Sequence, residues 1–243
     1  MTDQGKKYFI FVGNFGSGKT ELALHFAESS AEAGNPTTLV DMDVINPYFR
    51  ATERRKEMAE KGVRLIEQNY ATANVEIITV TPEVYSAFIP GEGTVIFDVG
   101  GDGIGSRAIG QYKPYFDRIA PEDIRVWLVV NCHRPLSSTP ERVIKILRDI
   151  EANSRLTVTG LVNNSNMSYE TNGEYIAAGY DVLSRVSRET GLPVIMTTGE
   201  EGPLREFLEI AEKRHFDKTW IGQPVSIHTL MHRDWDRFVK LGF

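Results

Sequence analysis

Cysteine occurs once in the 243 residues, at Cys132. A lone thiol cannot close an intrachain disulfide and supplies too few ligands for a zinc or iron–sulfur centre, so disulfide scaffolds and cysteine-held clusters are excluded and a reducing, cytoplasmic setting is expected. No apolar run approaches the roughly 20 residues of a membrane-spanning helix. Residues 1–7 are polar and lack the apolar stretch of a secretory signal. A basic excess is also missing: 27 Lys and Arg stand against 33 Asp and Glu, for a net charge of −6. That balance argues against a surface that coats nucleic acid. The zinc-protease pattern HExxH is absent, and the i,i+4 pair His228/His232 is read as chance spacing.

What remains is an alternation of short apolar runs with longer amphipathic ones, over a chain with no internal repeat and no long linker. This is the pattern of βαβ units in one doubly wound, mostly parallel sheet flanked by helices, a single three-layer α/β domain spanning 1–243. Strands are expected at Tyr8–Val12, Thr37–Asp41, Val63–Ile66, Thr94–Asp98, Arg125–Asn131, Thr157–Val162 and Pro193–Thr197. Helices are expected at Lys19–Ala33, Ala51–Lys61, Pro82–Phe88, Thr139–Asn153, Tyr175–Thr190 and Leu204–Lys213, with one more starting near Ser106 after a glycine-rich loop. The stretch 216–243 leaves the alternation and forms a tail of undetermined packing.

The first strand runs into Gly13-Asn14-Phe15-Gly16-Ser17-Gly18-Lys19-Thr20, and a helix begins there. Glycines at this spacing let the backbone curl until successive N–H groups converge on phosphate oxygens. The helix N-terminus adds its positive end at the same point. The spacing therefore predicts a nucleoside triphosphate site: Lys19 reaching the β- and γ-phosphates, the Thr20 hydroxyl ligating magnesium. The candidate nucleotide-contacting run is Gly13, Asn14, Gly16, Ser17, Gly18, Lys19, Thr20 and Glu21.

Such a loop needs carboxylates to position magnesium and the attacking water. Two predicted strands end in them: Leu39-Val40-Asp41-Met42-Asp43 and Val95-Ile96-Phe97-Asp98-Val99-Gly100-Gly101. Ligands of open α/β sheets bind at the carboxyl ends of strands, so Asp41, Asp43 and Asp98 are expected to face the loop. Thr20, Asp43 and Asp98 are the candidate metal ligands, and Gly100 or Gly101 could offer an amide to the γ-phosphate.

Together, Gly13–Thr20, Leu39–Asp43 and Asp98–Gly101 resemble the MinD/ParA and cobyrinate-synthase-like branch of phosphate-loop NTPases, in the SIMIBI class. The resemblance covers roughly Tyr8 to Phe207. It implies that Asp43 positions the hydrolytic water, with Asp41 its structural neighbour. Asp98 becomes the magnesium-linked acid of a switch loop. It further implies an asparagine at a late strand end against the adenine ring. In Thr159-Gly160-Leu161-Val162-Asn163-Asn164, Asn163 is the candidate, the other reading being a turn residue that closes the strand. Residues 197–203 would line the other side of the base.

Two departures qualify the resemblance. Asn14 stands where many members carry a second lysine that reaches across a nucleotide-sandwich dimer. The Gly-Ser-Gly-Lys-Thr ending looks like metal-chaperone GTPases of the class, yet no Asn-Lys-x-Asp guanine signature occurs; Asn131-Cys132-His133-Arg134 lacks the Lys and the Asp. ATP is favoured over GTP. Lys19 and Asp43 are the candidate catalytic residues of an ATP hydrolase acting as a switch or assembly factor, with a homodimer or a protein partner as its target. Alternatives are an ATP-dependent metabolic ligase or kinase, and a nucleotide-dependent metal or cofactor insertase. Tyr48-Phe49 and Arg50 follow the second strand as a docking loop or as buried packing. Arg107 and Lys113 are substrate contacts or a solvated helix face. The tail 229–243, with Leu230, Trp235 and Phe238, touches a partner or membrane, or packs on the domain.

Overall fold

A computed structural model describes residues 6–43, 55–67, 82–101 and 103–228. Eight strands form one sheet in the order β3-β2-β4-β1-β5-β6-β7-β8, every neighbouring pair parallel. The strands are β1 (Lys7–Val12), β2 (Thr37–Met42), β3 (Val63–Glu67), β4 (Thr94–Val99), β5 (Ile124–Val130), β6 (Gly160–Asn163), β7 (Val194–Gly199) and β8 (Gln223–Ser226). The helices are α1 (Lys19–Glu32), α2 (Arg55–Glu60), α3 (Pro82–Tyr85), α4 (Gly103–Gly110), α5 (Lys113–Phe116), α6 (Pro140–Ser154), α7 (Gly173–Thr190) and α8 (Glu201–Lys213).

Central strands in such a sheet are covered on both faces, which is why they read as continuous apolar runs. Along β1, Ile10 and Val12 point to one side and Phe11 to the other, following the two-residue period. Ile10 and Val12 join Phe97 and Leu128 beneath Ile109 of α4, Val143 and Leu147 of α6, and Leu183 of α7. Phe11 joins Leu39, Ile96 and Val129 beneath Leu22, Ala23 and Ala27 of α1 and Met58 of α2. Full burial of each large side chain contributes roughly 1.5–3 kcal/mol, so the two faces hold the strand order firmly.

Local signals set the helix ends. Thr139 caps α6, accepting a bond from Arg142 N at 3.4 Å, with Pro140 in the first turn. Asn172 caps α7, accepting from the backbone of Glu174 and Tyr175, and Gly191 ends it at φ 75° in the left-handed conformation.

Several expectations shift. The helix α4 begins at Gly103 rather than near Ser106, because Gly105 packs directly on the Gly100 backbone. Strand β6 begins at Gly160, where Thr159 N still bonds Val126 O at 2.7 Å. The parallel sheet is as expected, and the stretch after Phe216 adds an eighth strand, β8, beside β7. Residues 44–54, 68–81, Asp102 and 229–243 lie outside the described residues, and with them the readings of Tyr48-Phe49, Arg50, His232 and the tail.

Candidate functional site

All eight strands end at one edge, and that edge gathers the chemistry. Strand β1 delivers Gly13, and the chain curls through Ser17 into α1. Three glycines make the curl possible at positive φ: Gly13 at 150°, Gly16 at 74° and Gly18 at 87°. A side chain at Gly13 would strike the Val129 carbonyl, and one at Gly18 would strike the Asn164 amide.

The carbonyls of the curl turn outward onto donors. Asn14 O accepts from Lys19 Nζ at 3.1 Å and from Ser17 N at 3.3 Å. Phe15 O accepts from Asn14 Nδ2 at 3.2 Å, Gly16 O from Arg134 Nε at 3.0 Å and Ser17 O from Asn164 Nδ2 at 2.8 Å. Gly18 O accepts the first helical bond, from Leu22 N at 3.1 Å. Ser17 N is spent within the loop, and the N–H groups of the first turn of α1, which lack intrahelical acceptors, lie where the curl ends.

Asp41 of β2 and Asp98 of β4 are partners in register, and Glu67 of β3 pairs with Asp41 on its other side. Burial pushes Asp98 up to about 6, against the opposing pull of the Lys19 charge and a bond from the Thr20 hydroxyl, with Asp43 adding repulsion. Burial likewise pushes Asp41 up to about 7, reinforced by the Asp98 charge and moderated by the Asp43 amide, which donates to Asp41 Oδ1 at 2.9 Å. Asp98 is 3% exposed, and its Oδ1 accepts no hydrogen bond from the described residues. A buried carboxylate oxygen without a donor, beside a threonine hydroxyl, suits a hard divalent cation. Among the described residues no group of three His, Cys, Asp or Glu could hold a metal by itself. Magnesium fits that arrangement, since it is commonly held by one or two carboxylates together with water and phosphate.

Gly101 completes the enclosure. A Cβ there would lie 2.6 Å from Phe15 N, so the loop after β4 rests on the backbone of the loop after β1. Thus Gly13–Thr20, Asp41, Asp43, Asp98 and Gly101 converge at one end of the sheet.

The Asn163 side chain is engaged within the fold. Its Nδ2 donates to Ile176 O at 3.1 Å and its Oδ1 accepts from Ser165 N at 3.2 Å, so its amide ties β6 to α7. The neighbouring Asn164 faces the curl: beyond its bond to Ser17, its Oδ1 accepts from the Thr198 hydroxyl at 2.8 Å. Alternation at a strand end decides which of two adjacent asparagines points to the loop, and the sequence alone leaves that parity open. Arg134, which touches Gly16, ends the run Asn131–Arg134 that matches no guanine signature, and no local signal in the sequence links it to the loop. Lys113 pairs with Asp117 one turn on, Arg107 is exposed on α4, and His228 stacks on His25 of α1 at 6.4 Å. Among the described residues no helix is long and apolar enough to cross a membrane.

No family model and no curated protein matches this chain. Among solved structures, FtsY from Mycoplasma mycoides aligns with a TM-score of 0.52 at 16% identity, over 83% of this chain and 62% of that one. A nucleotide-binding protein from Archaeoglobus fulgidus in complex with ADP aligns with a TM-score of 0.54 at 13% identity, over 88% of this chain and 90% of that one. The signal recognition particle receptor FtsY from Elizabethkingia anophelis in complex with GDP aligns with a TM-score of 0.50 at 20% identity, over 79% and 57%. The chain spans about three fifths of the length of the FtsY structures it matches. At these identities the likeness establishes the fold, one all-parallel sheet flanked by helices as in the phosphate-loop NTPases.

Proposed function

We propose that this protein is a magnesium-dependent nucleoside triphosphatase that works as a nucleotide-dependent switch, with ATP as its nucleotide. The observation that carries the reading is the pairing of an amide-lined curl with the buried, donor-free Oδ1 of Asp98. The solved structures that share the fold include complexes with ADP and with GDP, which supports nucleotide binding without choosing the base.

In this reading the amides from Asn14 to Thr20 hold the phosphates, and Lys19 turns from Asn14 O to the β- and γ-phosphate oxygens. Thr20 and Asp98 hold magnesium, which when bound offsets the phosphate charge. Asp43, two residues beyond Asp41 at the end of β2, orients the attacking water. Gly101 lies against the tip of the curl, where arrival or loss of a γ-phosphate would move it, and that displacement is the switch. The preference for ATP rests on the missing guanine signature. Asn164 rather than Asn163 carries the nucleotide-side role, by holding Ser17 O of the curl.

Calorimetry with ATP and GTP, each with magnesium, tests the reading directly. Binding of ATP at least tenfold tighter than GTP is expected, and equal affinity would remove the base assignment. The hydrolysis rate per molecule, measured across protein concentrations, tests the homodimer: a rising rate marks a catalytic dimer and a flat rate a self-sufficient chain.

A further inference from the structure

The outward carbonyls of the curl are held by donors of unequal standing. Asn14 and Lys19 belong to the curl itself, and Lys19 would leave Asn14 O to meet phosphate. Asn164 is 2% exposed and held between Ser17 and Thr198, so it is part of the packed interior. Arg134 alone among these donors is exposed and comes from a separate loop, the one after β5.

Its contact with Gly16 is more than one bond. A Cβ at Gly16 would lie 3.0 Å from Arg134 Nε and 3.4 Å from both Cδ and Cζ, so the Arg134 side chain fills the space beside Gly16 while Nε holds its carbonyl. Gly16 has φ 74°, a conformation with little steric or hydrogen-bonding support of its own. The Arg134 loop is itself fixed: Arg134 N bonds Asn131 O at 3.1 Å, Ser137 N bonds Arg134 O at 2.9 Å, and the Ser137 hydroxyl bonds Asn131 O at 2.7 Å. A side chain from a hydrogen-bonded loop is therefore set against a glycine of the curl that holds a positive φ.

We infer that Arg134 is a positioning residue for the nucleotide: it braces Gly16 from outside so that the loop amides stay aimed at the phosphates. This rests on the reading that the loop binds a nucleoside triphosphate. The brace acts on loop shape and touches no reacting atom, so it contributes equally to diphosphate and triphosphate binding and lowers KM without raising kcat.

The test follows release of fluorescent (N-methylanthraniloyl) ADP and ATP with magnesium from wild type, Arg134→Ala and Arg134→Lys. Arg134→Ala is expected to release both nucleotides about tenfold faster, the order of one hydrogen bond to a charged donor, with kcat changed less than about twofold. Its nucleotide-free thermal unfolding should match wild type, since the side chain is exposed. Lysine lacks Nε, so Arg134→Lys stays impaired, and free guanidinium ion at low, non-denaturing concentration restores Arg134→Ala. Unchanged release in Arg134→Ala overturns the inference. So does full restoration by lysine with loss of the effect in high salt, which would assign a long-range charge instead. Failure of wild type to bind either nucleotide would instead overturn the functional reading itself, a result separable from the behaviour of the variants.

Discussion

Asp41 and Asp98 stand side by side at the ends of β2 and β4, Cα partners in one parallel ladder, both nearly sealed from solvent. Burial raises both, and the Asp98 charge adds to the rise at Asp41, which reaches about 7.

That shift has a stability consequence. An aspartate in the unfolded chain titrates near about 3.9, so over the interval up to about 7 the folded chain holds the Asp41 proton more tightly than the unfolded one. The stabilisation tied to that proton is present at low pH and lost as pH rises through the folded value. Asp41→Asn stays neutral and keeps the acceptor for Asp43 N. It should raise the Tm of the nucleotide-free protein by several degrees at about pH 8 and by roughly a third as much at about pH 5. Thermal unfolding at the two pH values reads this, and an equal gain at both would show that Asp41 is not the titrating group.

Lys19→Ala should abolish nucleotide binding in calorimetry. By contrast, Asp43→Ala should bind within a few-fold of wild type and hydrolyse about a hundredfold more slowly, as for loss of a group that orients the attacking water. Normal phosphate release by Asp43→Ala would transfer that role to another group.

Gly101→Ala places a methyl group against Phe15 N. The loop after β4 must then back away from the curl, so hydrolysis should fall at least about tenfold while the fold is kept. Phosphate release and circular dichroism, measured together, separate a displaced switch from general unfolding. Wild-type turnover in this variant would mean that the Gly101 contact plays no part in catalysis.

The two asparagines give opposite signatures. Asn164→Ala removes the donor to Ser17 O and should weaken ATP binding about tenfold. Asn163→Ala frees Ile176 O and Ser165 N and should lower Tm while leaving affinity within about twofold. A reversal of the two effects would return the nucleotide-side role to Asn163.

The order of elements was legible because each rests on a local signal. Apolar runs bounded by Gly, Pro or Asn mark β1, β2, β4 and β5, and the Thr139-Pro140 and Gly191 caps mark helix ends. Boundaries slipped where tertiary packing extends an element beyond its local pattern. Gly105 sits inside α4 because only a missing Cβ allows that turn to close on Gly100. The four-residue β8 is a strand only because β7 offers an edge to pair with.

By itself the sequence determined the strand–curl–helix of residues 7–32 and the carboxylates that end β2 and β4, since glycine spacing and strand-end acids act over a few residues. Tertiary structure decided which side chains brace that curl. Arg134 and Gly16 are 118 residues apart, and Asn164 and Ser17 are 147 apart. No local preference distinguishes Asn164 from Asn163 or gives Arg134 a partner; both follow from placing β5 and β6 beside β1 in a parallel sheet, where every strand ends at the same edge.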